Sequence, residues 1–390
     1  MSSLDTVYLD NAATTPLRPV AREAVEAVLC DNFGNASGVH SVARAAKTAL
    51  EEARETVADG LGCRPGEVVF TSGGTESDNL AVKGAAHAAR RAGRGETVVT
   101  TTIEHKAVLA SCDRLESEGF RVRRVGCDTG GVVDLDALSD ALDDDTVVVS
   151  IMLVNNEVGT VQPLETVADL VAERSPRAVL HTDAVQAVPW VDVEAAAARS
   201  QLVSVSAHKF GGPKGVGALV VREGTRLEPL LEGGGQEGDL RSGTHNVAGI
   251  VGMAAALRET VAQRPDDTAR VGALRDRLAA GLLEAVPRSW SNGDPLRKVA
   301  GNCHVGFPGL EVETMLLAFD QDGLCAAAGS ACQSGSLDPS YVLLEMGMDR
   351  RDALASVRFS LGWSTTPDDV DAALALIPAA VSRLRPARRR

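Results

Sequence analysis

From about residue 41 to residue 260, short runs rich in β-branched residues alternate with longer segments patterned as helices, and this alternation constrains the fold more than any other feature. VVFTS (68–72), TVVTT (97–101), TVVVSIM (146–152), AVLHTD (178–183), LVSVSA (202–207) and VGALVV (216–221) read as strands, and amphipathic stretches such as ESDNLAVKGAAHAARRA separate most of them. Strands alternating with helices give a largely parallel sheet covered on both faces. The pattern from Val247 to about Ala285 reads as a pair of helices leading away from that sheet and marks a domain border. Beyond it lies a smaller α+β unit, with CHVGF (303–307) as a strand, VETMLLAF (312–319) as a helix and a closing amphipathic helix from Pro367 to about Leu384.

Composition narrows the function classes. A chain of 390 residues that is 44% hydrophobic can bury cores for more than one domain. The net charge of -14 argues against a general nucleic-acid surface, because phosphate binding needs a positive footprint. The local exception is RLRPARRR, with five arginines between Arg383 and Arg390, which reads as a solvated tail. The seven cysteines (30, 63, 112, 127, 303, 325 and 332) contain no C-x-x-C pair, so neither a disulfide scaffold nor a structural zinc or other metal site is expected. Without a secretory leader or an apolar run long enough to span a bilayer, the expectation is a cytoplasmic protein with no membrane contact.

In α/β sheets, ligands gather at the carboxyl ends of strands. After VVFTS come Gly73-Gly74-Thr75, glycines opening a helix, where backbone N–H groups, a hydroxyl and the helix dipole suit a phosphate. After LVSVS come Ala207-His208-Lys209. The chain has six lysines against thirty-three arginines, so a lysine here stands out, and a desolvated lysine can shed its proton and form a Schiff base. After AVLHT comes Asp183, a carboxylate able to hold a pyridinium nitrogen. Each alone has a commoner structural explanation, as a connection, a surface residue or a cap. Together they supply the parts of a pyridoxal phosphate (PLP) site. His105, after TVVTTTI, and Asn156, after VSIMLV, stand at two further strand ends of the same kind.

At this point the chain resembles a known family over nearly its full length. YLDNAATTP (8–16), FGNAS (33–37), FTSGGTESDNLAVKG (70–84), EHKAVL (104–109), VNNEVG (154–159), HTDAVQ (181–186), SAHKFGGPKGVGAL (206–219), RSGT (241–244), GSACQSGSLDPSYVL (329–343) and VRFSLG (357–362) resemble, in order, the motifs of cysteine desulfurases of the housekeeping and nitrogen-fixation type. These are class V, fold-type I PLP enzymes. The resemblance implies an α/β fold, with a large domain (17–260) built on a mainly parallel seven-stranded sheet and a smaller α+β domain (1–16 with 261–390).

It also implies roles, position by position. Lys209 would bind the cofactor covalently and Asp183 would pair with its ring nitrogen. Gln186 and Asn156 would contact the ring oxygen, and His105 would stack on the ring. Gly74, Thr75, Ser206 and His208 would hold the phosphate, joined by Thr244 from the neighbouring subunit of a homodimer. Arg358 would clamp the substrate carboxylate, and Asn35 and Asn156 would face the substrate. Cys332, set among glycines and serines that suit a segment able to swing, would take sulfur from L-cysteine as a persulfide and leave L-alanine. His105 is a candidate proton carrier. Cys325, on an apolar stretch, reads as a small core residue.

The family commonly reads S-L-G-R-F-T-T where this chain has Ser360-Leu-Gly-Trp363-Ser-Thr-Thr, which implies an altered pocket rim. Housekeeping members continue into a tail that docks an iron–sulfur scaffold, whereas this sequence closes on arginines. The sulfur acceptor is therefore open among an iron–sulfur scaffold, a thiolation enzyme and a DNA-modification protein. A selenocysteine lyase, a class V aminotransferase and an inactive sulfur-relay subunit are the competing readings.

Overall fold

A computed structural model of the chain describes residues 6–329 and 338–385. Its largest sheet has seven strands in the order Val68–Thr71, Gly217–Val221, Leu202–Ser206, Val179–Asp183, Thr146–Ser150, Thr97–Thr101 and Arg121–Val125. Only Gly217–Val221 runs antiparallel to its neighbours. Side chains alternate between two buried clusters, as the two-residue period of a strand requires. Val69, Val98, Val148 and Leu219 pack on one face under the helices Gly74–Arg91 and Lys106–Ser117. Val68, Phe70, Val99, Val149 and Val203 pack on the other. The predicted parallel sheet is thus present, with all six expected strands.

The seventh, Arg121–Val125, escapes the sequence pattern because RVRRV looks like a polar loop. It is one of the sheet's two edge strands, and its arginines pair with acids nearby: Arg121 with Asp145, and Arg123 Nη2 with Asp143 Oδ2 at 2.7 Å. Charge on an edge discourages pairing with another chain.

A separate apolar cluster joins Val7 and Leu9 to Val305, Phe307, Met315, Phe319, Phe359 and Ile377. It forms around the antiparallel pair Asn302–Gly306 and Ser356–Ser360 and the helices Val312–Gln321 and Pro367–Leu384. The expected pair of helices linking the two cores is instead one helix, Val247–Ala285, with Pro265 inside it. An interior proline costs about 3 kcal/mol and usually breaks a helix. Here each half is buried separately, Val247 to Leu257 in the first core and Val271 to Leu282 in the second, and that burial carries the helix through. Cys325 is half-buried rather than in the core, on a short strand paired with Val7–Tyr8. Among the described residues, no helix is long and apolar enough to cross a membrane.

Candidate active site

The carboxyl ends of the parallel strands converge on a cavity of about 270 Å³ lined by Gly74, Thr75, His105, Asn156, Asp183, Gln186, Ser206, His208, Lys209 and Arg358. Ten of the predicted residues therefore meet in one place. Asn35 and Thr244 are exposed and do not line it. Cys332 lies outside the described residues.

At one end the helix Gly74–Arg91 begins with Gly73 at its N-cap and no side-chain cap. The first N–H groups of a helix have no intrahelical acceptor, so this end faces the cavity as a cradle for negative charge. A side chain on Gly74 would fill it, since a Cβ there would stand 2.7 Å from Val185 Cγ2. Ser206 lies against the same cradle, its Oγ 3.6 Å from where a Cβ on Gly73 would stand. His208, half-buried beside Lys209 and Lys214, is pushed down to about 4, first by burial and then by those charges. It is neutral at physiological pH.

Lys209 closes a 3₁₀ turn, Ala207–Lys209, directly after the strand Leu202–Ser206. Its Nζ donates to the carbonyls of Ala12 (2.5 Å) and Ala13 (2.9 Å), and Gln186 Nε2 donates to Ala12 O at 2.9 Å. The N-terminal segment reaches the site because it runs between the two cores: Ser360 Oγ accepts from Ala12 N–H at 2.8 Å, and Thr15 N–H donates to His208 O at 3.0 Å. Sequence reasoning gave Ala12 and Ala13 no role of their own.

The cavity floor is a buried acidic cluster. Asp183 is buried, and its Oδ1 accepts from Val185 N–H at 2.8 Å. Asp78, one turn along the helix from Gly74 and so on the same face, is 1% exposed, and its Oδ1 has no hydrogen-bond partner among the described residues. Atoms of Asp78, His105 and Asp183 able to bind a metal all lie within 4.8 Å of one another. Burial raises both acids, and Asp183 raises Asp78 further. Burial lowers His105, against the pull of Asp183. Its Nδ1 accepts from Ala107 N–H at 3.2 Å, so the neutral ring carries its proton on Nε2. Two acids this close cannot both hold a charge without a positive partner, and a protonated ring nitrogen or a divalent cation would serve as one. Behind the cluster, His181 lies between Ser150 Oγ (2.8 Å) and Ser204 Oγ (3.0 Å) in the sheet, and burial lowers it to about 3.

Arg358 enters from the second core, on the strand Ser356–Ser360. It is 2% exposed, with Nη1 on the carbonyls of Asn156 (2.7 Å) and Gly329 (2.9 Å) and Nη2 on Asp10 Oδ1 (3.0 Å). Glu157 beside it is raised to about 7 by burial, against the hydrogen bond from Ser340 and the charge of Arg358. Trp363 does not line this cavity. It faces a neighbouring cavity of about 40 Å³ that shares Ala12, Asn156, Gln186 and Lys209 with this one.

The aminotransferase class-V family model matches residues 7–373. The chain belongs to that family. Among its relatives in the aminotransferase class-V family are the "Cysteine desulfurase IscS" of Methanosarcina thermophila, 43% identical over 379 residues (97% of this chain, 93% of the relative), and the "IscS-like cysteine desulfurase" of Mycobacterium tuberculosis, 46% identical over 384 residues (97% of each). A solved structure titled a NifS-like protein superposes with a TM-score of 0.91 at 37% identity, covering 97% of this chain and 100% of that one. Enzymes of the family use PLP.

Proposed function

We propose that this chain is a PLP-dependent cysteine desulfurase that converts L-cysteine to L-alanine and passes the sulfur to Cys332. The observation that carries the proposal is the convergence of Lys209, Asp183 and the uncapped helix end on one cavity, in a chain whose relatives are named for that activity.

The residues fit the cofactor. The Gly74–Thr75 cradle and Ser206 would take its phosphate, and Asp183 its ring nitrogen. His105 would lie on the ring, and Gln186 and Asn156 would meet the ring oxygen. Asn156 Oδ1 is buried without a hydrogen-bond partner among the described residues, as expected of a group built to meet a ligand. These parts favour the cofactor over a cation at the acidic floor. When bound, PLP supplies a carbonyl that joins the substrate amine and a ring that accepts the electron pair of its Cα–H bond.

The chain's own residues do the rest. Arg358 offers its fork to the substrate carboxylate. Lys209 Nζ, held above the floor by two carbonyls, takes the proton from Cα. Asp183 keeps the ring nitrogen protonated, and the buried floor excludes water. The Cys332 thiolate attacks the substrate sulfur. A sulfur–sulfur bond forms, the Cβ–S bond breaks with its electron pair left on Cβ, and Cβ and then Cα are protonated, Lys209 returning the proton it took, to leave alanine. His105, neutral with its proton on Nε2, is placed to carry protons in this step.

This proposal includes a homodimer in which Thr244 reaches the neighbour's phosphate. The exposed Leu29, Phe33 and Val39 around Asn35 support a covered face there. It also includes the division into domains at 17–260 and 1–16 with 261–390, supported by the two cores, and a cytoplasmic location. The acceptor is a protein: an iron–sulfur scaffold, a thiolation enzyme or a DNA-modification protein.

The test is peptide mass spectrometry of the PLP-loaded protein after L-cysteine is added without reductant, with alanine quantified in parallel. One added sulfur on the Cys332 peptide together with alanine is expected. Alanine formed at an unchanged rate by Cys332→Ala would overturn the sulfur-transfer role.

A further inference from the structure

The segment 231–246 leaves the large sheet and returns as the start of the long helix. It holds two of the three non-glycine residues with left-handed backbone among the described residues, Glu237 (φ 50°) and Asp239 (φ 65°). For an ordinary L-residue that conformation is disfavoured, because Cβ crowds the following carbonyl oxygen. It persists only where the surroundings over-determine it.

Around Glu237 they do. Its side chain is 1% exposed. Its carboxylate accepts from Arg54 Nη2 (2.6 Å) and Nη1 (2.9 Å) and from Phe70 N–H (2.7 Å), and it lies 2.7 Å from His245 Nε2. Burial alone would raise this acid, but the bonds from Arg54 and His245, with the charge of Arg54, bring it down to about 2. Arg54 also donates to Val68 O at 2.7 Å and sits over the Phe70 ring. The segment is thus fastened to Val68–Thr71, the strand that ends in the phosphate cradle. A second fastening lies closer still: Arg241 Nε donates at 2.8 Å to Glu76, in the first turn of the cradle helix.

These bonds converge on one exposed residue. Gly243 N–H donates to Gln236 Oε1 at 2.8 Å, and His245 is held by Glu237. Thr244 stands between them, exposed, with each neighbour tied to the 236–237 turn. A glycine at 237 would make the same turn without strain, as Gly235 and Gly238 do beside it. The carboxylate accounts for the glutamate.

We propose that Glu237 is a positioning residue that presents Thr244 to the phosphate cradle of a second copy of this chain and so sets how tightly that copy holds its cofactor. The inference rests on the homodimer proposed above, with Thr244 reaching the neighbour's phosphate.

The test loads the full chain with PLP and measures the cofactor dissociation constant and the sedimentation coefficient for wild type, Glu237→Gln, Thr244→Ala and the double variant. Each single variant is expected to weaken PLP binding about tenfold, the loss of one charge-assisted hydrogen bond, with the dimer intact. The double variant is expected to bind within twofold of the weaker single, because both remove the same contact. Additive losses would overturn the proposal, as would wild-type affinity in Glu237→Gln when Thr244→Ala is weakened. Wild-type affinity in Thr244→Ala would overturn the shared-site reading itself. If Glu237→Gln fails to fold, Glu237→Gly relieves the strain while removing the carboxylate. The same tenfold loss is expected of it, and unchanged affinity overturns the proposal.

Discussion

The two halves of the cavity are built differently. Its sheet half, comprising Gly74, His105, Asp183, Ser206 and Lys209, issues from strand ends of one core, and each side chain stands within a few residues of a buried strand. Its seam half is Arg358, Asp10 and Gly329, brought together where the second core meets the N-terminal segment. The sheet half is held by the same contacts that fold the large sheet. The seam half depends on how two cores sit against each other. In the proposed mechanism, chemistry that needs fixed geometry falls to the first, and substrate capture, which tolerates adjustment, to the second.

The largest expected effect tests that division directly. Lys209→Ala should lower alanine formation at saturating L-cysteine by at least about 10³-fold, the scale of losing a positioned proton carrier. The fold should survive, because the lysine stands at the edge of the cavity and its hydrogen bonds to Ala12 and Ala13 go to backbone carbonyls. Turnover within tenfold of wild type would mean that the sheet half is not where the chemistry occurs.

The second test concerns the dryness of the sheet half. Glu104 is 0% exposed. Its Oε1 accepts from Thr101 Oγ1 and Met152 N–H, both at 2.8 Å, and its Oε2 has no partner among the described residues. Burial raises it to about 8, against those two bonds and with help from Asp183. A carboxyl raised on folding stabilises the protein below its unfolded value and loses that contribution as pH climbs to the folded one. Stability from this group should therefore fall between about pH 4.5 and 8, by on the order of 1 kcal/mol per pH unit, and level off above. Glu104→Gln keeps the shape and has no proton to lose. Urea unfolding at pH 6 and pH 8 should show a smaller drop for the variant than for wild type. Equal drops would mean that water reaches the floor.

The same division explains what the sequence disclosed. Strand ends were legible because β-branched runs mark the strands and Gly74, Asp183 and Lys209 follow them within a few residues. Asp78 was within reach of the same reasoning, four residues from Gly74 on one helix face. The edge strand Arg121–Val125 was hidden by arginines whose acid partners lie up to 24 residues away, between Asp113 and Asp145. The unbroken Val247–Ala285 helix was hidden because Pro265 is tolerated only through burial in two cores. The seam was legible by resemblance alone: nothing near Arg358 in the sequence signals Asp10, 348 residues away.

The smallest expected effect concerns Trp363, the departure from the family's usual arginine. It belongs to the seam and lines the smaller cavity next to the one that holds Arg358. Its Nε1 donates to Pro16 O at 3.2 Å, and Arg18 lies 4.9 Å from its ring centroid. Arg18 is itself buried, with Nη1 on Gln263 Oε1 at 2.8 Å and Nη2 3.6 Å from Asp267 Oδ2. Arg270 of the long helix ties the same turn through the carbonyls of Trp363 (2.6 Å) and Thr365 (2.7 Å). Trp363→Ala removes the indole hydrogen bond and the contact with Arg18 but leaves the backbone ties. It should cost about 1–2 kcal/mol of stability in urea unfolding while changing KM for L-cysteine less than twofold. A tenfold rise in KM with stability unchanged would place Trp363 on the path of the substrate and extend the seam half to the second cavity. The expected pattern would instead make this tryptophan a clasp between the cores, with substrate capture left to Arg358.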